Sequence, residues 1–389
     1  MSAALDLVDL ERRARTFAMG AAGAVHGAVD EDASARRALD LLAEQDLLRW
    51  TVPPAQGGHD THDLAADDTV SVRALCAVRR GLAYGSGMLD VMFVEQGLGA
   101  FPIVLGGSPK LQSSVLPEVA RGTRVSAFAL TEVGAGSSVN EVALSAAATD
   151  DGWRLNGAKT LISNAGLAAF YTVLVRTGGE VGEREGLTMV YVPADARGIE
   201  VKRFEVMAPH PIGEVHFHDV NVAREHLLGE EGQGLDLALG TLARFRTSVA
   251  AAATGFARRA LDESMAHLDG RRQFGKPLSA FQGLRFDLAE MDTRVRASEL
   301  LVDEAAELVD TGGDATAAVA RAKMYATETA SFVCDRAVQH LGGLGVKRGT
   351  VVERLFREVR ALRIYEGTTE IQRVILAKDI LRTHRERNS

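Results

Sequence analysis

Cysteine is scarce in this chain, and its placement excludes two common ways of stabilising a fold. Cys76 and Cys334 are the two cysteines among 389 residues, and both lie in apolar surroundings. Disulfide frameworks and zinc sites need several such residues at short spacings. His59 and His62 are three residues apart, but no third ligand accompanies them. We therefore expect two buried thiols in a reducing compartment and no metal site.

Membrane and nucleic-acid signatures are also missing. No apolar run approaches the roughly 20 residues that cross a bilayer. The amino-terminal sequence has neither the basic region nor the apolar core of a signal peptide. A net charge of -8 argues against a nucleic-acid binder. We expect a cytoplasmic protein that binds neither a membrane nor nucleic acid.

What the chain does have is a hydrophobic period that changes twice. Apolar residues recur at helical spacing to about residue 122, short strands separated by turns follow to about 232, and the helical period then returns. The length is too great for one ordinary core. The prediction is a mainly α fold with a central β-domain: an N-terminal helical domain at 1–122, an antiparallel β-domain at 123–232 and a C-terminal four-helix bundle at 233–389.

Local turn signals support this division. Asp151-Gly152 between two apolar runs predicts a β-hairpin. No helix alternates with the predicted strands, so a dinucleotide-binding βαβ fold is not expected. After residue 232 the pattern predicts a long helix near 235–267 that contains four consecutive alanines, Ala250 to Ala253. Small residues let two helices approach closely, which places this helix at the centre of the bundle.

One acidic residue stands between an aromatic residue and a glycine where two helical patterns meet. In the stretch 363–372, RIYEGTTEIQ, Thr369 and Gln372 have the spacing of a capping box, which predicts a helix start at Thr369. Glu366 would then lie in the loop before that helix, and Gly367 would let the backbone approach a ligand. Glu366 is either a general base or part of an ordinary helix–helix turn. On this stretch alone the turn is favoured.

Three further stretches carry polar groups in turns. In 127–137, AFALTEVGAGS, a strand ends before a Gly-rich turn that can present N–H groups to a phosphate or a flat ring. In 161–166, LISNAG, a serine hydroxyl follows a strand. In 271–282, RRQFGKPLSAFQ, a cation, an amide and an aromatic ring share one loop between helices. Each stretch alone is equally an ordinary turn or surface connection.

Taken together with QHLGGLG at 339–345, these segments resemble the acyl-CoA dehydrogenase family of flavoproteins over essentially the whole chain. The resemblance implies the same three-part architecture, non-covalent FAD and a homotetramer or dimer. It implies removal of hydrogen from Cα and Cβ of an acyl thioester, with electrons passed to an electron-transfer flavoprotein or another acceptor. Glu366 matches the catalytic base of the medium- and short-chain branch. Other branches place the base near position 245, where this chain has Phe245.

The resemblance also assigns binding roles. Residues expected at FAD are Phe128, Leu130, Thr131, Gly136, Ser137, Leu161, Ser163, Arg271, Gln273, Phe274, Gln282, Gln339, Gly343, Thr368 and Glu370. Of these, the residues expected to reach the FAD of a neighbouring subunit are Arg271, Gln273, Phe274, Gln339 and Gly343. Residues expected at the substrate are Ser137, Phe245, Arg246, Tyr365 and Gly367.

The chain departs from many relatives at positions that bear on function. Leu161 stands where many carry a tryptophan that covers the flavin, and Ser138 stands where many carry aspartate. Ala243 replaces an aspartate three residues before Arg246, which leaves room for a thioester on a carrier protein instead of CoA. Two alternatives stay open: a flavin-dependent oxidase or monooxygenase on the same fold, and a scaffold without catalysis.

Overall fold

Helices and strands follow one another in the predicted order. The computed structural model describes residues 6–27, 29–66 and 69–388. The helices, numbered in chain order, are α1 Leu7–His26, α2 Glu31–Glu44, α3 Val72–Gly85, α4 Gly87–Gly106, α5 Pro109–Ala120, α6 Gly234–Gly270, α7 Gln282–Asp310, α8 Thr316–Leu341, α9 Val351–Leu362 and α10 Thr369–Asn388. The strands are β1 Ser126–Ala129, β2 Ser145–Thr149, β3 Gly152–Ser163, β4 Phe170–Arg176, β5 Leu187–Pro193, β6 Ile199–Arg203, β7 Ile212–Ala223, β8 Leu227–Leu228, β9 Arg272–Gln273 and β10 Lys276–Pro277. The predicted fold class is confirmed.

The chain forms two units, each with its own core. The first unit contains Met1–Ala22, Val72–Asp90 and Arg246–Ser389, and the second contains Gly23–Ser71 and Val91–Phe245. The three-domain division at residues 122 and 232 stays a prediction.

Small residues determine how α6 packs in the first unit. The side chains of Ala250 to Ala253 are fully buried. A Cβ atom added to Gly255 would lie 2.3 Å from the backbone oxygen of Arg80 on α3. The backbones of α3 and α6 are therefore closer than larger side chains would allow, which explains the alanine-rich sequence of α6.

A buried ion pair fixes α3 to the beginning of α4. Nε and Nη2 of Arg79 each donate to a carboxylate oxygen of Asp90 at 2.8 Å. The third nitrogen, Nη1, donates to Oγ of Ser248 on α6 at 3.0 Å. Both charged side chains are buried, so each compensates the other's loss of water.

The sheet of the second unit has the strand order β6-β7-β3-β2-β4-β5-β8, with β1 paired to β4. The predicted hairpin is present as β2 and β3, which pair antiparallel from Thr149–Gly152 onward. Its two loop residues are Asp150 and Asp151, because Gly152 already belongs to the strand. The pairing of β1 with β4 is parallel, so the sheet is mostly, but not wholly, antiparallel.

Two expectations based on missing features have different outcomes. Cys76 and Cys334 are buried free thiols, as predicted, and burial raises the pKa of Cys76 to about 12. The expectation that no apolar run is long enough to cross a membrane is wrong. Across the described ranges, α4 alone meets that length and composition, although most of its residues are buried within the protein. Interior packing accounts for its apolar sequence.

The ion pair between Arg79 and Asp90 gives a first prediction. Asp90→Leu leaves a buried guanidinium without its carboxylate, and we expect it to destabilise the protein by about 3–5 kcal/mol. The double variant Arg79→Met/Asp90→Leu removes both charges and should recover most of the melting temperature. Circular dichroism melts of the three proteins measure this. A double variant as unstable as Asp90→Leu would contradict a charge-based origin of the loss.

Candidate active site

Glu366 lies in the turn between α9 and α10, in a backbone conformation that a side chain disfavours. Its φ angle is +51°, and that of Gly367 is +92°. A left-handed conformation costs a non-glycine residue on the order of 1 kcal/mol or more, so it persists only where neighbours impose it. The predicted place of Glu366, in a loop just ahead of a helix, is confirmed.

Three side chains hold this turn by its carbonyl oxygens. Nε of Arg246 on α6 donates to the Glu366 oxygen at 2.8 Å. Nζ of Lys323 on α8 donates to the Gly367 oxygen at 2.6 Å. Nε2 of Gln372 on α10 donates to the same oxygen at 3.0 Å. A Cβ added to Gly367 would lie 2.6 Å from Nε2 of Gln372, and the φ of +92° independently favours glycine here.

The start of α10 corrects the predicted capping box. The helix begins at Thr369, as predicted, but Oγ1 of Thr368 is the atom that accepts from the Ile371 N–H, at 3.3 Å. The hydroxyl of Thr369 donates instead to Oε1 of Glu328 on α8, at 3.0 Å. The side-chain amide of Gln372 donates to the Gly367 oxygen. Contacts with α8 and with the turn thus replace the local pairing that the sequence suggested.

The carboxylate of Glu366 is poor in hydrogen bonds and rich in nearby positive charge. Its Oε2 atom is shielded from solvent and has no hydrogen-bond partner within the described part of the chain. Burial raises the pKa of Glu366, and the charges of Arg79, Arg246 and Lys323 act in the opposite direction. A desolvated carboxylate is more basic than one in water, and in its ionised form it can accept a proton.

Two backbone N–H groups at this turn have unused hydrogen-bonding capacity. The N–H groups of Glu366 and Gly367 donate to no acceptor among the residues that the structure describes. Adjacent free N–H groups of this kind can bind an oxygen that gains negative charge during a reaction. Tyr365, predicted at the substrate, is exposed beside them.

The Gly-rich turn after β1 lies in the second unit and is anchored by charged residues that sequence analysis missed. Glu132 accepts from the N–H groups of Ala143 and Leu144, at 2.9 and 3.0 Å. Nζ of Lys159, fully buried on β3, donates to Glu132 at 2.8 Å and to the Leu130 oxygen at 3.0 Å. Burial lowers the pKa of Lys159 to about 8, opposed by the charge of Glu132.

The predicted flavin residues of this turn present unused groups. Phe128 is buried on β1. Thr131 follows the strand, and its backbone oxygen accepts a hydrogen bond from the Thr160 N–H at 2.9 Å. The N–H groups of Gly134, Gly136 and Ser137 make no hydrogen bond with any described residue. A Cβ on either glycine would meet open space. Free N–H donors beside open space fit the pyrophosphate or ring oxygens of a flavin nucleotide.

Leu161 and Ser163 occupy an irregular end of β3. The pairing of β3 with β7 shifts register between Lys159 and Ile162, and Leu161 has a φ of +57°. This bulge turns the Leu161 side chain outward, leaving it 55% exposed. Oγ of Ser163 lies 2.8 Å from Nε2 of His210. The two residues are 47 positions apart in the chain, so sequence analysis did not reveal this contact.

The residues predicted to reach a neighbouring subunit lie in the first unit. Gln273 and Phe274 belong to a short hairpin of β9 and β10, where Phe274 and Gly275 have φ angles of +50° and +78°. The Phe274 side chain is 90% exposed at the tip. The other exposed positions of this set are Arg271, Gln339 and Gly343, and Gln282, predicted at FAD, is exposed as well.

Two of the remaining predicted positions lie at the start of α10. Thr368 caps the helix, and Glu370 is exposed in its first turn, where hydrogen bonds lower its pKa. Phe245 lies in the second unit, fully buried against Phe101 with a ring-centroid separation of 5.6 Å. A Cβ on Gly97 would lie 2.4 Å from its ring. The Phe245 side chain is therefore tightly packed.

The burial of the His210 ring leads to a second prediction. Burial, with a contribution from Arg203, lowers the pKa of His210 to about 4. Below about pH 6.5 the His210 side chain binds a proton in the unfolded chain but stays neutral in the folded protein. The free energy of unfolding therefore decreases as pH falls from 6.5 towards 4, by at most about 3 kcal/mol. His210→Gln should have a smaller drop in melting temperature between pH 7 and pH 5 than the parent protein.

The matched control for that experiment is His62→Gln, which removes an exposed histidine. Its melting temperature should follow the parent protein at both pH values. If His210→Gln also follows the parent, the His210 ring is not kept neutral by the fold.

Comparison with known proteins gives consistent matches over most of the chain. Residues 6–123, 127–220 and 232–381 match the acyl-CoA dehydrogenase N-terminal, middle and C-terminal domains. Cyclohexane-1-carbonyl-CoA dehydrogenase of Geobacter metallireducens is 32% identical over 347 residues, which cover 88% of this chain and 89% of that protein. The 3-(aryl)acrylate reductase of Clostridium sporogenes is 32% identical, with 96% and 98% covered. The solved glutaryl-coenzyme A dehydrogenase–glutaryl-CoA complex has a TM-score of 0.90 at 29% identity, covering 98% of this chain and 97% of that one.

Proposed function

Because the chain belongs to the acyl-CoA dehydrogenase family, whose oxidoreductases act on CH–CH groups, we propose that it dehydrogenates an acyl-CoA to the 2-enoyl thioester with Glu366 as the base. The observation that carries this proposal is the Oε2 atom of Glu366, which is shielded from water and has no hydrogen-bond partner in the described part of the chain. The charges of Arg79, Arg246 and Lys323 act on this carboxyl group.

Glu366 removes the α-proton of the substrate. Its free Oε2 is available to accept that proton, and desolvation makes the carboxylate more basic than it is in water. Arg79, Arg246 and Lys323 act against this rise and favour the ionised form, which the proposed reaction requires at its start. Both properties are needed, because a base that is already protonated cannot accept.

The backbone next to Glu366 binds the thioester carbonyl. Loss of the α-proton places negative charge on that oxygen, and the unused N–H group of Glu366 can donate to it. Arg246 and Lys323 fix the two carbonyl groups that follow this donor in the chain, which restrains the turn that bears it. Preorganised donors of this kind lower the barrier without reorganising during the reaction.

FAD is the proposed cofactor, and when bound it takes the β-hydrogen as a hydride. The free N–H groups of Gly136 and Ser137, with the hydroxyls of Thr131 and Ser163, would hold it, and Phe128 would line its ring. Charge-assisted contacts from Arg271 would reach the pyrophosphate of a second copy. The exposed hairpin that bears Gln273 and Phe274 supports a homotetramer or dimer in which subunits complete one another's cofactor sites.

The remaining roles follow the same proposal. We place the protein in the cytoplasm, consistent with its free thiols, and propose an electron-transfer flavoprotein or a smaller acceptor as the oxidant of the reduced enzyme. CoA is the proposed thiol of the substrate; a carrier-protein thioester and an oxidase reaction are outcomes that the following experiments distinguish.

Glu366→Gln tests the base. The amide keeps the size of the side chain but cannot accept the α-proton, so we expect flavin reduction to slow by about 10³-fold or more, while FAD content stays unchanged. The measurement is anaerobic bleaching of flavin absorbance by butyryl-CoA and cyclohexane-1-carbonyl-CoA, chosen as probes. Glu353→Gln, which removes a carboxylate paired to Arg357 on α9, is the control.

Near-parental reduction by the Glu366→Gln variant would refute the assignment. Reduction of the parent protein only by an acyl carrier protein thioester would instead move the substrate from CoA to a carrier protein.

Leu161→Trp tests how open the proposed flavin edge is. Leu161 is exposed on a bulge, and an indole ring at this position would cover more of any ring system bound beside it. We expect the reduced parent enzyme to react with oxygen several-fold faster than Leu161→Trp. Stopped-flow reoxidation measures this, with Leu161→Met as a control of similar size without a ring.

Equal reoxidation rates in all three proteins would contradict an open edge at Leu161. Reoxidation of the parent that keeps pace with substrate turnover would favour an oxidase over a dehydrogenase.

A further inference from the structure

We infer that Lys323 is a positioning residue for the base: it fixes the Glu366 turn and supplies a positive charge close to it, an inference that rests on the proposed function. The sequence drew no attention to this lysine, which lies in the middle of α8. Its side chain is fully buried, and its Nζ donates to the Gly367 oxygen at 2.6 Å.

A buried ammonium group is a costly way to satisfy one carbonyl oxygen. Burial lowers the pKa of Lys323 to about 8, and among the surrounding charges Glu366 opposes this most strongly. The Gly367 oxygen already accepts from Gln372 at 3.0 Å. A buried charge is tolerated where an opposite charge and hydrogen bonds compensate its loss of water. The negative charge that most favours the ionised form of Lys323 is therefore that of the proposed base, Glu366.

The geometry of the turn indicates what the lysine does. Arg246 holds the peptide group between Glu366 and Gly367 by its oxygen, and Lys323 holds the next peptide group in the same way. Two successive peptide groups are thus fixed, which restrains the backbone angles of Gly367 next to the left-handed Glu366. A restrained turn limits the positions that the Glu366 carboxylate can reach.

Charges from several helices act on this pair. The groups that influence Glu366 are Arg79 of α3, Asp90 of α4, Arg246 of α6 and Lys323 of α8. The groups that influence Lys323 are Glu366, Arg246, Glu328 and Glu370. Removing the ammonium charge leaves burial of Glu366 less opposed, so the carboxylate should take up a proton at higher pH.

The experiment compares Lys323→Met and Lys323→Gln with the parent protein over pH 5 to 9. Flavin reduction by butyryl-CoA and by cyclohexane-1-carbonyl-CoA gives the limiting rate and the half-saturating concentration at each pH, and flavin absorbance gives the FAD content. For Lys323→Met we expect the acid limb of the limiting rate to move to higher pH, with a rate loss of about tenfold or more at pH 6 and a smaller loss at pH 8.

Lys323→Gln separates the hydrogen bond from the charge. Its amide can still donate to the Gly367 oxygen, so the rate at pH 8 should approach that of the parent, while the acid limb should stay displaced as in Lys323→Met. Asp310→Asn is the structural control: its carboxylate binds the Val72 and Arg73 N–H groups at the start of α3, at 2.7 and 3.0 Å. That variant should lower the melting temperature and leave the acid limb in place.

The outcomes separate the two proposals. In one outcome, parent activity depends on Glu366 but the acid limbs of both lysine variants superimpose on that of the parent protein. This outcome overturns the role of Lys323 and leaves the proposed base intact. A uniform loss of rate at every pH in both variants also overturns it, because that is the result of a purely structural residue. Activity that survives Glu366→Gln overturns the proposed base itself, whichever way the lysine variants behave.

Discussion

The loss of water around the Glu366 carboxylate is the constraint on which the proposed chemistry depends. Burial favours the protonated form, whereas Arg79, Arg246 and Lys323 favour the ionised form. Two unit charges at 4 Å interact by about 4 kcal/mol at an effective dielectric of about 20, which is large enough for nearby cations to offset much of the burial cost. Glu366 is therefore more basic than a solvated glutamate, while the neighbouring cations favour its ionised form.

These cations come from helices far apart in the sequence, so the site depends on the packing of the first unit. The charge of Arg79 is itself compensated by Asp90, and Arg246 and Lys323 are occupied by consecutive carbonyl oxygens of the turn. Close packing of α3 against α6, made possible by Gly255, brings Arg79 to the buried Ser248. Tertiary contacts thus stabilise a turn conformation that Glu366 would not adopt in an isolated peptide.

Local patterns predicted the elements well, because helix period, turn residues and helix stops act over a few positions. Helix α5, the β2–β3 hairpin and the loop position of Glu366 all follow from such signals. Contacts between distant segments were not predictable in this way: Lys323 on Gly367, His210 on Ser163 and the parallel pairing of β1 with β4. The capping box failed for the same reason, since Glu328 on α8 binds the hydroxyl of Thr369.

The most direct test of this account is the protonation of Glu366 itself. Infrared difference spectra between the parent protein and Glu366→Gln, recorded as a function of pH, isolate the C=O stretch of this one carboxyl group. The account predicts a titration midpoint above the ordinary glutamate value of about 4.3–4.5, because burial outweighs the neighbouring cations. A midpoint at or below that value would mean that the carboxylate is solvated or directly paired, and would contradict its description as a desolvated base.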